Sequence, residues 1–288
     1  MLIYPDTNIW NYLAQRHIDE RKLTETLATK NATLVLSAHH VYELARTFTG
    51  KAGTERGVQL FSSIKKFLDL KVPCSKEVME FLKEECYVFE NGLQRIDPML
   101  DASDHETVRR EVDKLARGIV EGRVKEFIAK RTQFAVTTRV EQRDHFTARK
   151  TLKRELRAVS ESDLFNWLQS VTMTTDGSVI LSRHLERMLG PGPTPDYARR
   201  LLLSPASNAA RGLVRADLYS NWRSANRGSN PKDLVDDMLH VLQSIYCDLY
   251  VTGEPDQAKY AGLLLTTKTK VRIYDGMTPI GQWLVALA

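Results

Sequence analysis

The chain has 288 residues, of which 42% are hydrophobic and 27% charged, and it carries a formal net charge of +5. This composition supports a sizeable apolar core under a well-solvated surface. No apolar run approaches the roughly eighteen residues of a membrane-spanning helix, and no secretory signal is visible. The three cysteines form no CxxC pair, which argues against a disulfide framework and a thiolate zinc site. We therefore expect a cytoplasmic protein that does not contact membranes.

The first strand–helix unit starts at the second residue. A short apolar run over 2–4 predicts a buried strand, which Pro5 ends. Apolar residues recur at helical spacing from Ile9 onward, so a helix is expected there with Asp6 or Thr7 as its N-cap. The acid that follows the first strand therefore has a purely structural explanation as well as a functional one.

A second unit follows, with a β-branched apolar run over 32–36, a turn near Ser37 and then a helix. Residues 57–90 predict two helices that flank a short extended piece at 70–72, and Ser75 is expected near the start of the second helix. Units of this kind favour a parallel sheet covered by helices.

The block 91–229 differs from both ends of the chain, because it is helix-prone, rich in charge and poor in β-branched runs. Between 109 and 157 it holds fifteen Lys and Arg residues against seven Asp and Glu. This excess favours a polyanionic partner, since cations that face phosphates gain affinity by releasing counterions. An exposed helical face of mixed charge is the alternative explanation.

The strand–helix pattern returns at the end of the chain. Ser229 or Asn230 is expected to cap a helix, and further strands are expected at 248–251 and 270–275. We therefore predict an α/β domain interrupted by a large, helical, basic insertion, with the domain formed by 1–90 and 230–288 and the insertion by 91–229.

Carboxylates follow or flank several of the predicted strands. The loops at the carboxyl ends of parallel strands meet in one crevice, so these acids are expected to lie close together. Clustered carboxylates repel one another unless a cation joins them, and oxygen ligands suit Mg²⁺ or Mn²⁺. One or two such ions would activate a water for attack on a phosphodiester. The acids concerned are Asp6, Glu43, Asp237, Glu254 and Asp256.

Three motifs in this order resemble the PIN-domain nucleases: "PDTNIW", "VLSAHHVYELAR" and "DDMLHVLQSIYCDLYVTGEPDQ". The resemblance implies a three-layer α/β/α domain with a central parallel sheet, and an endoribonuclease that uses Mg²⁺ or Mn²⁺. RNA is then the expected substrate, with DNA possible. It also implies that Asp6, Glu43 and Asp237 hold the metal, together with an acid after Thr252. The family usually has Asp two residues after this threonine, where this chain has Glu254, so either Glu254 or the following Asp256 completes the site.

Other polar residues near the predicted acids are assigned supporting roles. Asn8, Thr252 and His240 are expected to hold a carboxylate or a water in position. His39 and His40 form no spaced ligand set with another histidine, so one is expected to be packed and the other exposed, with neither binding a metal.

Basic residues supply the candidate contacts to nucleic acid. Arg46 either contacts a scissile phosphate or pairs with Glu43 one turn earlier. The stretch 221–230 mixes Trp222 with arginines, which predicts either a base-stacking platform or an ordered surface loop. The further candidates are Arg223, Arg227, Lys150 and Arg154.

Two other functions remain open at this point. A PIN-like scaffold could bind nucleic acid or a protein without cutting, and the Glu254 departure favours this alternative. A phosphatase with Asp6 as nucleophile is the other, although such enzymes usually carry a second acid two residues later, where this chain has Asn8. A homo-oligomer or a regulatory protein partner is compatible with all three functions.

Overall fold

Helices make up most of the fold, and they surround a small parallel sheet. The computed structural model describes residues 1–16, 18–49, 53–122, 124–127, 155–227, 234–265 and 269–288, with the side chains at 235 and 236 excepted. The strands are β1 Leu2–Pro5, β2 Thr33–Leu34, β3 Leu36–Ser37, β4 Cys74–Ser75, β5 Leu249–Thr252 and β6 Lys270–Ile273.

The helices occur in both halves of the chain. In the first half they are α1 Thr7–Gln15, α2 Glu20–Thr29, α3 Ala38–Leu44, α4 Gly53–Asp69, α5 Val78–Glu90 and α6 Ala102–Ala116, with a 3-10 turn at Ala45–Thr49. In the second half they are α7 Leu164–Thr172, α8 Thr175–Leu189, α9 Pro195–Leu203, α10 Asn208–Arg227, α11 Leu234–Gln243, α12 Pro255–Leu264 and α13 Ile280–Leu287. Within the described ranges, no helix is both long enough and apolar enough to cross a membrane.

Four strands form the main sheet in the order β2-β1-β5-β6, and all of its pairings are parallel. Ile3 lies opposite Leu34 on one side and Leu249 on the other, so the two ends of the chain meet at β1. The short strands β3 and β4 pair separately, also in parallel. The parallel sheet predicted from the sequence is therefore confirmed.

Alternate side chains of the strands enter two different apolar cores. Ile3 and Leu249 pack with helices α1 to α4, α6 and α13 on one face. Tyr4 and Tyr250 pack with α5 and α7 to α12 on the other face. This alternation follows from the two-residue period of a strand. Helices of the block 91–229 thus share cores with the sheet, while the assignment of that block to an insertion stays a prediction.

Two local predictions were wrong. The extended piece expected at 70–72 lies at Cys74–Ser75 (β4) instead. After α4 ends at Asp69, the left-handed residue Lys71 (φ 63°) turns the chain, and strand pairing begins only beyond that turn. The loop expected over 221–230 is helical as far as Arg227, within α10. The cap predicted at Ser229 or Asn230 lies outside the described residues.

A buried carboxyl group links α5 to α10 and predicts a pH effect on stability. Glu85 accepts hydrogen bonds from the backbone N–H groups of Ala209 (2.5 Å) and Ala210 (2.8 Å) and from the Tyr246 hydroxyl. Burial raises the pKa of Glu85 from 4.5 to about 7, although these hydrogen bonds oppose the rise. The folded protein therefore keeps a proton that the unfolded chain releases, so this group's contribution to stability falls as the pH rises from 4.5 to 7.

We expect Glu85→Gln to remove this decline, which reaches on the order of 1 kcal/mol per pH unit. The measurement is urea unfolding at several pH values between 4.5 and 7. Glu106→Gln, at an exposed site on α6, is the matched control and should keep the wild-type slope. Equal slopes in Glu85→Gln and wild type would show that this carboxyl does not titrate in that window.

A buried arginine on α10 predicts a stabilising substitution. Arg215 is only 5% exposed, and its Nε and one terminal nitrogen have no hydrogen-bond partner in the described part of the chain. Burial, together with the charge of Arg211, lowers the pKa of Arg215 to about 10, so it stays charged at neutral pH. Unpaired buried donors cost about 1–3 kcal/mol each.

Arg215→Met is therefore expected to raise the free energy of unfolding by about 1–3 kcal/mol, because methionine fills the space without a charge. Arg211→Met is the contrasting variant, since Arg211 donates to the carbonyl oxygens of Leu202 (2.9 Å) and Ser204 (2.8 Å). That variant should lose stability in urea unfolding. A loss in Arg215→Met as well would contradict this account of Arg215.

Candidate metal centre

Asp6 lies directly after β1, at the carboxyl edge of the sheet. Its backbone N–H donates to the carbonyl of Val251 on the neighbouring strand (2.8 Å), and its side chain is buried. One carboxylate oxygen accepts from the N–H of Thr7 (2.6 Å), which makes Asp6 the N-cap of α1. The other accepts from Asn8 Nδ2 and Thr252 Oγ1, both at 2.8 Å. The cap and the buried polar cluster therefore involve the same carboxylate.

The environment of Asp6 disfavours its charge. Burial raises the pKa of Asp6 to about 6, and the charge of Glu43 adds to the rise. The charge of His240 and the hydrogen bond from Thr252 work in the opposite direction. A desolvated carboxylate beside a second acid is a group that a bound cation would stabilise.

Glu43 lies on α3 and faces Asp6 across Thr7. The Thr7 hydroxyl donates to Glu43 Oε2 (2.6 Å), and His240 Nε2 hydrogen-bonds to the same oxygen. His240 Nε2 also lies 3.0 Å from Thr7 Oγ1. Arg46 is 3.5 Å from the other carboxylate oxygen of Glu43, so of its two predicted roles the pairing with Glu43 is the one observed. Thr7 thus contacts both acids, Asp6 through its N–H and Glu43 through its hydroxyl.

Three acids from three segments of the chain raise the pKa of one histidine, His240. Burial alone would lower the pKa of His240, but Glu43 outweighs it by charge and hydrogen bond, and Asp6 and Asp237 add to the rise. Burial would also raise the pKa of Glu43, yet His240 holds that pKa well below its usual range. Glu43 and His240 therefore form a buried ion pair, with Asp6 and the half-buried Asp237 nearby.

The supporting residues lie between β5 and α1. Asn8 and Thr252 both hold Asp6, as the sequence predicts. The N–H of Gly253 donates to Asn8 Oδ1 (2.8 Å), and a Cβ at this position would come within 3.2 Å of the same oxygen. Glycine therefore permits the close approach of the strand end to α1.

Glu254 and Asp256 are the two candidates for the fourth ligand. Both are exposed at the start of α12, where the N–H of Glu254 donates to Thr252 Oγ1 (3.0 Å). Which of the two completes the site stays a prediction.

The structure places a further histidine, His39, beside Glu43 and His240. Ligand atoms of His39, Glu43 and His240 lie within 4.8 Å of one another, so this group could hold a metal ion. His39 and His40 are both buried, whereas one was expected to be exposed. His40 instead completes the cap of α3, where its Nδ1 contacts the N–H of Ser37 (3.0 Å). The four-residue spacing from His39 to Glu43 on one helix face is the signal that could have identified His39.

Arg227, one of the nucleic-acid candidates on α10, has structural partners. Arg227 pairs with Glu161 (2.6 Å) and lies 5.9 Å above the ring of Trp222. Trp222 is buried, and its indole N–H donates to the carbonyl of Val159 (3.0 Å), so the predicted base-stacking platform is wrong. Arg223 is half-buried on the same helix. The two remaining nucleic-acid candidates, Lys150 and Arg154, lie outside the described residues.

Comparisons with models of protein families, with curated proteins and with solved structures return no match. The resemblance to PIN-domain nucleases accordingly rests on the three sequence motifs.

Proposed function

We propose that this protein is a metal-dependent phosphodiesterase that acts as an endoribonuclease. One observation carries the proposal: Thr7 holds two carboxylates together at the carboxyl edge of the sheet, Asp6 through its N–H (2.6 Å) and Glu43 through its hydroxyl (2.6 Å). Both carboxylates are largely removed from water, and acids held together in this way favour a bound cation. A helix cap alone would require only Asp6.

The fold is compatible with a PIN-like, three-layer α/β/α arrangement. The parallel sheet lies between two apolar cores, and Asp6 and Thr252 lie at the carboxyl ends of adjacent strands. Ligand sites in sheets of this kind are usually found at that edge. The helices between 91 and 229 would then form an insertion whose cores merge with the domain.

The residues present fit an oxygen-rich cation site. Asp6, Glu43 and Asp237 would hold one or two Mg²⁺ or Mn²⁺ ions, with Glu254 or Asp256 as a further ligand. Such ions lower the pKa of a bound water and stabilise the charge that develops on a phosphodiester.

The chain's own residues keep these carboxylates in position. Asn8 and Thr252 fix one oxygen of Asp6, which leaves little rotational freedom for that side chain. Thr7 fixes Glu43 in the same way, and His240 supplies positive charge beside it. Positioning of this kind is what a metal ligand requires from its surroundings.

RNA is proposed as the substrate because of the resemblance to PIN-domain nucleases and the basic character of 109–157. Arg46 lies at the edge of the site, 40% exposed, so it could exchange Glu43 for a phosphate. A phosphate contact of this type would position the strand without reading its sequence.

A non-cleaving scaffold is the second candidate function. The exposed positions of Glu254 and Asp256, and the Glu that stands where the family usually has Asp, favour it. A scaffold would bind RNA or a protein partner, and it would leave phosphodiester bonds intact when Mn²⁺ is present.

The deciding experiment incubates the protein with labelled single-stranded RNA, structured RNA and DNA of the same sequence. Mn²⁺, Mg²⁺ and EDTA are compared in parallel. We expect RNA cleavage with Mn²⁺ that EDTA abolishes. Tight RNA binding without cleavage in either metal would reject the nuclease and support the scaffold.

A further inference from the structure

We propose that His39, Glu43 and His240 form a binding site that selects Zn²⁺ or a similar transition-metal ion over Mg²⁺. The site shares Glu43 with the acidic cluster but takes its other two ligands from imidazole rings. This inference goes beyond the proposed function, because it concerns which ion binds and holds whether or not the protein cleaves RNA.

The three side chains converge from two helices. His39 and Glu43 are four residues apart on α3, so they project from the same face of that helix. His240 comes from α11, and its ring centre lies 4.5 Å from that of His39. The ligand atoms all lie within 4.8 Å of one another. Bonds of about 2.0–2.2 Å to a shared ion require these side chains to rearrange around a common point, with His240 Nε2 moving apart from Glu43 to admit the ion.

Neighbouring residues orient His240 as they would a metal ligand. The Tyr4 hydroxyl donates to Gln243 Oε1 (2.7 Å), so its oxygen can accept a hydrogen bond from His240 Nδ1, which is 3.5 Å away. Nε2 is thereby directed at Glu43, with which it forms the ion pair described above. A bound ion would take the place of the proton between them, and that proton would be released to solvent, because a histidine ligand is neutral. Histidine ligands in metal sites usually use the second ring nitrogen in this manner.

The donor set decides the kind of ion. Imidazole nitrogen suits Zn²⁺, Cu²⁺, Fe²⁺ and Ni²⁺, whereas Mg²⁺ requires oxygen ligands and retains its water. Two histidines and one carboxylate form a common three-ligand set for Zn²⁺ with an open position. The burial of His39 and His240 also restricts competition from water.

The test is a calorimetric titration of metal-stripped, untagged protein with ZnCl₂. It is carried out in the presence of a large excess of MgCl₂. We expect one Zn²⁺ per chain, retained against Mg²⁺. His39→Ala and His240→Ala should each weaken Zn²⁺ binding by at least about tenfold. His105→Ala is the matched control, because His105 lies on α6 and contacts the carbonyl of Val72 (3.1 Å). It should bind as the wild type does.

Two further measurements keep the result interpretable. Circular dichroism establishes that each variant is folded, and the visible spectrum of the Co²⁺-loaded protein reports imidazole ligands, so His39→Ala must change that spectrum. Asp6→Asn should lose cleavage but keep Zn²⁺, which separates this site from the proposed nuclease activity. Unchanged Zn²⁺ affinity in folded His39→Ala, or displacement of Zn²⁺ by Mg²⁺, would overturn the proposal.

Discussion

Replacement of Asp6 by asparagine is expected to lower the rate of RNA cleavage by roughly a thousandfold or more. Loss of a metal ligand removes several kcal/mol of transition-state stabilisation, and about 1.4 kcal/mol corresponds to a factor of ten. Asparagine has the same shape and can still accept the hydrogen bond from the N–H of Thr7, but its NH₂ group would face the Asn8 donor that bonds to the other oxygen of Asp6. Loss of that hydrogen bond should lower stability without preventing folding, so the large effect should fall on the cleavage rate.

The measurement is single-turnover cleavage in saturating Mn²⁺, with thermal unfolding of the same samples. Removal of a buried charge offsets part of the lost hydrogen bond from Asn8, so the variant should unfold at a modestly lower temperature than the wild type and remain folded in the assay. Asp19→Asn is the matched control, because Asp19 caps α2 through the N–H of Lys22 (2.9 Å). It should cleave normally. An Asp6→Asn rate within about tenfold of wild type is too small a loss for a metal ligand.

Glu43→Ala is expected to destabilise the protein by about 3–5 kcal/mol, because it removes one partner of a buried ion pair. The His240 side chain is only 1% exposed, and the substitution would leave it and the Thr7 hydroxyl without their shared acceptor. Urea unfolding measures the loss. The variant should also lose the capacity to bind a divalent cation.

Glu43→Gln measures how much of this stability comes from the charge of Glu43 and how much from its hydrogen bonds. Glutamine keeps an oxygen that can accept from Thr7 but cannot neutralise His240, so an intermediate loss of stability is expected. If Glu43→Ala unfolded within about 1 kcal/mol of the wild type, the buried pair would not be a stabilising interaction, and its role at the site would have to be reconsidered.

The position of Asp6 could be predicted because it depends on a general property of parallel sheets. The apolar runs identified β1 and β5, and the rule that strand ends meet placed Asp6 near Thr252, 246 residues away. Glu43 followed from the helix after β3 in the same way. Strand alternation and helical spacing are local patterns, so they can be read without knowledge of packing.

The remaining features depend on packing that no local pattern contains. Trp222 is buried in an apolar core, where its indole N–H donates to the carbonyl of Val159, a residue that no local pattern places beside it. The role of His39 depends on where α11 places His240 relative to α3. The exposed carboxylate of Glu254 depends on the backbone after Thr252, where Gly253 bonds to Asn8. Each requires the relative placement of elements that are far apart in the chain.

The central claim is that these acids support attack of water on a phosphodiester, and the most direct test follows the oxygen of that water. RNA is cleaved in Mn²⁺ and H₂¹⁸O, and the new ends are analysed by mass spectrometry. We predict phosphate monoester ends that carry one ¹⁸O per cleavage, with no label in Asp6→Asn because no cleavage occurs. Cyclic phosphate ends without label, or intact RNA with the folded wild type, would contradict the account.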